Sequence, residues 1–281
     1  MALQGSLNVL KTSKKLEVFS IEKLKNSLYH SGANPDEIQK VIQQINKDLY
    51  DGISTNEIHK SAFRLLKKFN RSYASKYNLK RAIFNLGPTG YPFERLVAAL
   101  LSEKGFKTQV SVILKGACIN HEIDVLAEKD GKFYAIECKF HAETRAKSNV
   151  KVPLYINSRF IDVKEQWKKD HGQESVLEQG WLITNTRFTK DAIDYGKCIG
   201  LTMLSWDYPE NKGFKTNIDD YYLYPITALT SISNTEKKTL LDNEIVLVKE
   251  LKNGIEILQK LNFSKNKIKN ILREVENLCH L

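Results

Sequence analysis

The chain has 281 residues, 42% hydrophobic and 10% aromatic, which is enough apolar material for two or three packed domains. Its 43 Lys and Arg against 33 Asp and Glu give a formal charge of +10, which suits a polyanionic partner and equally suits ordinary solubility. No apolar run approaches the roughly 18 residues of a membrane span, Met1-Ala-Leu-Gln-Gly-Ser lacks the pattern of a signal peptide, and Cys118, Cys138, Cys198 and Cys279 are too scattered for a zinc site or a disulfide framework. A cytoplasmic protein with no membrane partner is expected.

The basic excess is N-terminal. Residues 1–85 hold 15 Lys and Arg against 7 Asp and Glu, residues 86–225 hold 19 against 19, and residues 226–281 hold 9 against 7. With Gly87-Pro-Thr-Gly90 and Tyr224-Pro-Ile-Thr as breaks, these blocks are the expected domains: 1–85, 86–225 and 226–281.

Val9-Leu-Lys and Leu16-Glu-Val-Phe read as two short strands around a polar turn at 12–15. Three helices are predicted next. Ser20 caps the first, with Ile21, Leu24, Leu28 and Tyr29 as its apolar stripe; Pro35-Asp36 opens the second, with Ile38, Val41, Ile42 and Ile45; Thr55 caps the third, with Ile58, Ala62, Leu65 and Leu66. Together with Tyr50-Asp-Gly-Ile-Ser-Thr-Asn-Glu-Ile-His59 and Tyr77-Asn-Leu-Lys-Arg-Ala-Ile83, residues 8–85 resemble an ATP-cone, the small allosteric nucleotide-binding domain of ribonucleotide reductases. The resemblance implies ATP or dATP as ligand, Lys11, Glu17, Lys23, Thr55 and His59 as its contacts, and nucleotide-driven assembly into a homo-oligomer. Lysines suit triphosphate charge, and Thr55 and His59 share a helical face. The chain departs from the family's Lys-Arg-Asp-Gly turn at Lys11-Thr-Ser-Lys14, so a cone kept only as a folded adaptor stands beside the nucleotide-binding one.

In the middle block, Phe93, Leu96, Val97, Leu100 and Leu101 make one helical stripe ending at Gly105, and Glu94 flanks it. Phe106 to Leu114 reads as a strand. Two period-2 runs then flank Asp130-Gly131, which predicts a β-hairpin with a type I′ turn, Val125 opposite Ile136, Asp124 opposite Glu137 and Glu122 opposite Lys139. Ile123, Val125, Ala127, Tyr134, Ile136 and Cys138 form its apolar face, and Asp124, Glu137 and Lys139 the other. Two facing carboxylates repel each other, and a hard divalent cation would relieve them, while Lys139 would assist an attacking water. The same string also reads as the solvated face of an edge hairpin, with Lys139 paired to Glu122.

Asp124, Glu137-x-Lys139 and the helical Glu94 resemble the catalytic set of the PD-(D/E)xK nucleases, and the surrounding text resembles their Mrr-type restriction endonuclease branch, with Ile123 where the superfamily's name has proline. The resemblance implies an Mg²⁺- or Mn²⁺-dependent endonuclease acting on DNA, with Glu94, Asp124 and Glu137 as metal ligands. A helix from about Ile156 leaves Arg159, Gln166 and Lys168 beside its packed stripe, where the family often puts a polar contributor, Gln166 being the candidate taken, and His121 is a second accessory candidate. Trp181 to Thr184, 189–199 and Leu201 to Trp206 complete strand, helix, strand.

From Ile226 to Leu241 the text resembles the first half of a helix-hairpin-helix module, whose hairpin amides bind DNA backbone, with Ser231 and Ser233 at the two hairpin glycines and a looser second copy from Leu261. A plain helical cap is the alternative. The fold class is therefore a multidomain α/β protein: a small helical ATP-cone domain, a central restriction-endonuclease-like α/β core and a C-terminal helical, helix-hairpin-helix-like domain. The function expected is a DNA endonuclease under nucleotide control; the alternative is a non-catalytic, nucleotide-responsive DNA-binding regulator.

Overall fold

A computed structural model describes residues 7–11, 14–172 and 175–279; Thr12 and Ser13 of the first turn lie outside them. The fold is mixed α/β. The chain divides into two compact units, one of residues 1–80, 228–233 and 255–281, the other of residues 81–227 and 234–254, so that the 226–281 stretch is shared between them. Among the described residues no helix is long and apolar enough to cross a membrane.

The first unit opens with β1 (Asn8–Leu10) and β2 (Leu16–Val18), antiparallel with Val9 opposite Glu17. Helices α1 (Ile21–Tyr29) and α2 (Pro35–Asp48) follow. Ser20 caps α1 as expected, and Leu24 and Leu28 are buried, but Tyr29 is 68% exposed and leaves the stripe. Its position is about a third of a turn from the centre of a narrow apolar face, where a phenol tolerates water. Asn34 and Glu37 close a capping box on α2, which buries Ile38, Val41, Ile42 and Ile45.

Sequence periodicity gave no sign of β3 (Ile53–Ser54), two residues that pair in parallel with β1, Val9 opposite Ile53 and Leu10 opposite Ser54. The cap of α3 (Thr55–Phe69) is Ser54, not Thr55: the Ser54 hydroxyl accepts from Glu57 N–H and Glu57 accepts from Ser54 N–H. Strand pairing fixes Ser54 in an extended conformation, which is what a cap needs, and Thr55 becomes the first helical residue. Helix α4 (Arg71–Tyr77) packs Ala74 and Tyr77 into the same core as Val9, Leu28, Val41 and Leu66.

Helix α5 (Leu79–Phe84) leads into the second unit and α6 (Tyr91–Glu103), which buries the whole predicted stripe. Strands β4 (Lys107–Lys115), β5 (Asn120–Lys129) and β6 (Lys132–Lys139) form an antiparallel meander. The turn is the predicted one: Asp130 and Gly131 have φ of 52° and 73°, and Val125 stands opposite Ile136. After β7 (Lys147–Ser148) comes α7 (Lys151–His171), then β8 (Val176–Leu177), β9 (Trp181–Thr184), β10 (Arg187–Phe188), α8 (Lys190–Cys198) and β11 (Thr202–Leu204). The sheet order is β11-β9-β6-β5-β4, parallel from β11 to β6 and antiparallel beyond. Hairpin residues Leu126 and Ala135 are buried with Ile156, Phe160 and Val163 of α7, and Gly180 leaves the room that the Phe160 ring fills. Both faces of the hairpin are covered, so the side bearing Asp124 and Glu137 continues a core instead of facing water.

Helices α9 (Phe214–Asp220) and α10 (Asn234–Asp242) close this unit, and α11 (Ile255–Lys260) and α12 (Lys265–Cys279) return to the first. Residues 226–228, expected to open a helix-hairpin-helix, form a single 3-10 turn. The amides of Thr230 and Ser231 donate to the carboxylate of Glu274 on α12, at 2.7 and 2.8 Å, and the Ser75 hydroxyl donates to it at 2.9 Å. Glu274 is 2% exposed. Of the two positions at which the helix-hairpin-helix reading has its hairpin glycines, Ser231 and Ser233, the Ser231 amide is thus satisfied by the protein's own anion.

Candidate active site

The hairpin ladder runs from Lys129 opposite Lys132 to Val125 opposite Ile136 and goes no further. At the next position Asp124 does not stand across from Glu137 in the ladder as predicted; its carboxylate accepts the N–H of Cys138 at 2.6 Å. Beyond that point β6 pairs with β9, Glu137 opposite Leu182 and Lys139 opposite Thr184. On the other side of Asp124 the β4–β5 ladder is also interrupted. Val110 pairs with Val125 and Val112 with Ile123, but Ser111, the residue between, has φ of 54°. The register is the same on both sides, so no residue is inserted and one non-glycine residue holds a left-handed conformation beside the site.

Three carboxylates converge electrostatically here. Burial pushes the Glu94 carboxyl up to about 7, the charges of Asp124, Glu122 and Glu137 push the same way, and a hydrogen bond from the Ser111 hydroxyl acts against them. Burial, then Asp124, pushes Glu137 up to about 7, with Arg159 opposing. Asp124 is also raised, by burial first, while the Cys138 amide and Arg159 pull it down. Gly90, the N-cap of α6, leaves space for Glu94: a Cβ there would lie 3.1 Å from Oε1. Lys139 is exposed at the end of β6, and its carbonyl accepts from the Thr184 hydroxyl at 2.7 Å.

Helix α7 contributes Arg159, not Gln166. Arg159 Nη1 is 2.5 Å from Glu137 Oε2, and its other terminal nitrogen donates to the Glu122 carbonyl. Gln166 donates to Asp170 one turn along, at 2.7 Å. His121 is buried and lies 2.8 Å from Asp162. That carboxylate also accepts from the amides of Cys118 and Ile119, and His121 and these bonds hold its carboxyl down at about 2. His121 therefore serves the closure of the β4–β5 loop onto α7. The Arg159 signal was present in the sequence as a cation flanking the Ile156, Phe160, Val163 stripe; no sequence signal marks Ser111.

Among the described residues no three His, Cys, Asp or Glu side chains form a ready-made metal cluster. The donor set nonetheless fits a hard divalent cation: Glu94, Asp124 and Glu137 offer oxygens only, and their mutual repulsion in a desolvated place is what such an ion relieves. Arg159 supplies part of that positive charge.

In the first unit, Lys11 pairs with Glu17 at 2.5 Å across β1 and β2. The hydrogen bond and charge of Lys11, joined by Lys23 and Lys15, hold the Glu17 carboxyl below its usual range. The pairing of Leu10 with Ser54 brings Lys11 next to the start of α3, where Thr55 and His59 share a face, and His59 stacks on Tyr77 with ring centroids 4.6 Å apart. A separate cavity of about 480 Å³ lined by Tyr50, Glu57, Lys60 and Arg64 contains none of the five predicted contacts.

Three family models match successive segments: ATP cone domain over residues 7–83, restriction endonuclease of the Mrr catalytic type over 88–207, and AF1548-like, C-terminal over 224–279. An uncharacterized protein of Archaeoglobus fulgidus is 35% identical over 183 residues, which are 65% of this chain and 99% of that protein. The crystal structure of AF1548, a protein of unknown function, is similar with a TM-score of 0.56 and 34% identity, covering 68% of this chain and 99% of that one. The ordered matches, together with a relative aligned over nearly its whole length, show that this chain belongs to the AF1548-like family, with an ATP cone domain and an Mrr-type restriction endonuclease domain preceding the AF1548-like C-terminal domain.

Proposed function

We propose that this protein is an endonuclease that hydrolyses DNA phosphodiester bonds with Mg²⁺ or Mn²⁺, under the control of ATP or dATP bound to the cone. The observation that carries the reading is the desolvated, mutually repelling set of Glu94, Asp124 and Glu137, with Lys139 two residues beyond Glu137 on β6. Asp124, Glu137 and Glu94 would hold the ion, which when bound supplies Lewis-acid polarisation of the phosphate and of the attacking water. Lys139 orients that water and meets the negative charge developing on the phosphate as the water oxygen bonds to phosphorus and the P–O ester bond breaks. Cys138 N–H fixes the Asp124 carboxylate, and Arg159 fixes Glu137.

A second reading, a nucleotide-responsive DNA-binding regulator, is favoured by one observation: Arg159 already neutralises Glu137. Nicking of supercoiled plasmid separates the two. The nuclease reading expects Mg²⁺-dependent nicking by the wild type and its loss in Asp124→Ala, Glu137→Ala and Lys139→Ala with DNA binding retained. Equal nicking by pure Asp124→Ala protein overturns it, and DNA binding without any cleavage supports the regulator.

A further inference from the structure

The satisfied Glu274 carboxylate lies in the wall of a second feature of the first unit. A cavity of about 370 Å³ opens between the junction of α3 with α4 and helix α12, lined by Lys68, Phe69, Arg71, Asn270, Arg273 and Asn277. Its one carboxylate is Glu274, which is occupied by Ser75, Thr230 and Ser231. Among the described residues Lys68, Arg71 and Arg273 form no ion pair, unlike Lys11 of the same unit, which is neutralised by Glu17. Lys67, Lys68, Arg71 and Arg273 around one concavity against the single carboxylate of Glu274 leave a net positive local field that an external anion lowers. Phe69 lies among them with 41% of its surface exposed, and an aromatic face between cations is the arrangement on which a nucleobase stacks while its phosphates meet the charges. Asn270 and Asn277 add amides that can both donate and accept.

We infer that this cavity binds a single-stranded nucleic-acid segment, with a base on Phe69 and backbone phosphates on Lys68, Arg71 and Arg273. A duplex keeps its bases stacked inside and has no free face for Phe69, and a free nucleotide supplies one phosphate cluster where the three cations are spread over α3, α4 and α12. The site lies outside the endonuclease segment and uses none of the cone contacts Lys11, Glu17, Lys23, Thr55 and His59. It is independent of the cleavage reading, because binding in chelator and nicking in Mg²⁺ are separate measurements.

The test is fluorescence anisotropy of a labelled oligo-dT strand with the full chain in EDTA, over a series of salt concentrations. Phe69→Ala should weaken binding about tenfold, and Phe69→Trp should restore it. The triple variant Lys68→Ala, Arg71→Ala, Arg273→Ala should weaken it further and flatten the salt dependence by about two phosphates' worth of counter-ion release. Melting curves matching the wild type establish that the exposed substitutions leave the fold intact, and Lys68→Arg, Arg71→Lys, Arg273→Lys protein, which keeps the charges, should bind nearly as the wild type should the fold of the triple variant suffer. Unchanged affinity in Phe69→Ala, an equal loss of duplex binding in that variant, or displacement of the strand by millimolar ATP from Lys11→Ala, His59→Ala protein, whose cone contacts are gone, would each overturn the assignment, the last in favour of a free nucleotide.

Discussion

Glu94 and Glu137 tie stability to pH in a direction opposite to that of most carboxylates. Both are raised from 4.5 to about 7, so between those values the folded chain binds protons that the unfolded chain has released. Their contribution is full below about 4.5 and is lost as pH rises through about 7. In EDTA the melting temperature of the wild type should therefore fall from about pH 5 to about pH 8 more steeply than that of a Glu94→Gln, Glu137→Gln variant. Parallel curves would show that the carboxyls are not raised. At the upper end Mg²⁺ should lift the wild-type melting temperature and leave the double variant unmoved. Ser111 poses the opposite trade. A left-handed serine costs about 1–3 kcal/mol and glycine in a strand costs about 0.5–1 kcal/mol. Ser111→Gly should gain about 1 kcal/mol in urea unfolding while cleavage falls, because the hydroxyl that reaches Glu94 is gone. A variant that is both less stable and fully active would refute both halves. Asp124, Glu137 and Lys139 stand out in the sequence by type and spacing, which equally suit a solvated hairpin face, and the resemblance to the nuclease set, which alone marks Glu94, turns them into candidates. Ser111 does not stand out there, since Val110-Ser-Val reads as ordinary alternation and only the three-dimensional proximity of Asp124 explains its backbone.

At the level of elements, the hairpin was legible to its register because Asp-Gly and strict alternation over-determine it, and the failure began at Asp124, where a side chain replaced a backbone partner. The polar contributor from α7 was misplaced from Gln166 to two turns away at Arg159 for a related reason. Periodicity defines which face of a helix is apolar, but which flanking residue reaches a sheet depends on where the helix crosses it, and that is set by Phe160 seated against Gly180. Two-residue strands such as β3 fall below any periodic signal, and with β3 unseen the cap of α3 was assigned one residue late. The correction is measurable. Ser54→Ala should cost about 1 kcal/mol by removing the hydroxyl that accepts from Glu57 N–H and donates to the Glu57 carboxylate, the Ser54 N–H bond remaining, and Thr55→Ala should cost a few tenths at most; equal losses in chemical denaturation would restore Thr55 as the cap.

For the whole molecule, an ATP cone joined to an endonuclease domain predicts that nucleotide and DNA influence each other. Linkage requires the effect to be mutual: if ATP changes DNA affinity by some factor, DNA changes ATP affinity by the same factor. Calorimetric titration of ATP and dATP should show binding by the wild type and its loss in a Lys11→Ala, His59→Ala variant, and repeating it with a saturating DNA fragment should shift the nucleotide affinity. No heat at millimolar nucleotide would leave the cone as an adaptor, and unchanged affinity in the presence of DNA would leave it uncoupled. Nucleotide-driven pairing of two copies, which would favour cutting both strands, is read by light scattering in the same samples. The route of the chain bears on how such a protein can change over generations. It passes from one unit to the other after residues 80, 227, 233 and 254. A stop codon between residues 225 and 254 therefore trims both units at once, and an exchange of residues 1–80 keeps the nuclease segment but strips residues 228–233 and 255–281 of the part of their unit they pack against. The Archaeoglobus fulgidus relative, matched over 183 residues that are 99% of its length, is too short to hold all three segments found here, so the segments are separable in inheritance even though the fold interleaves them.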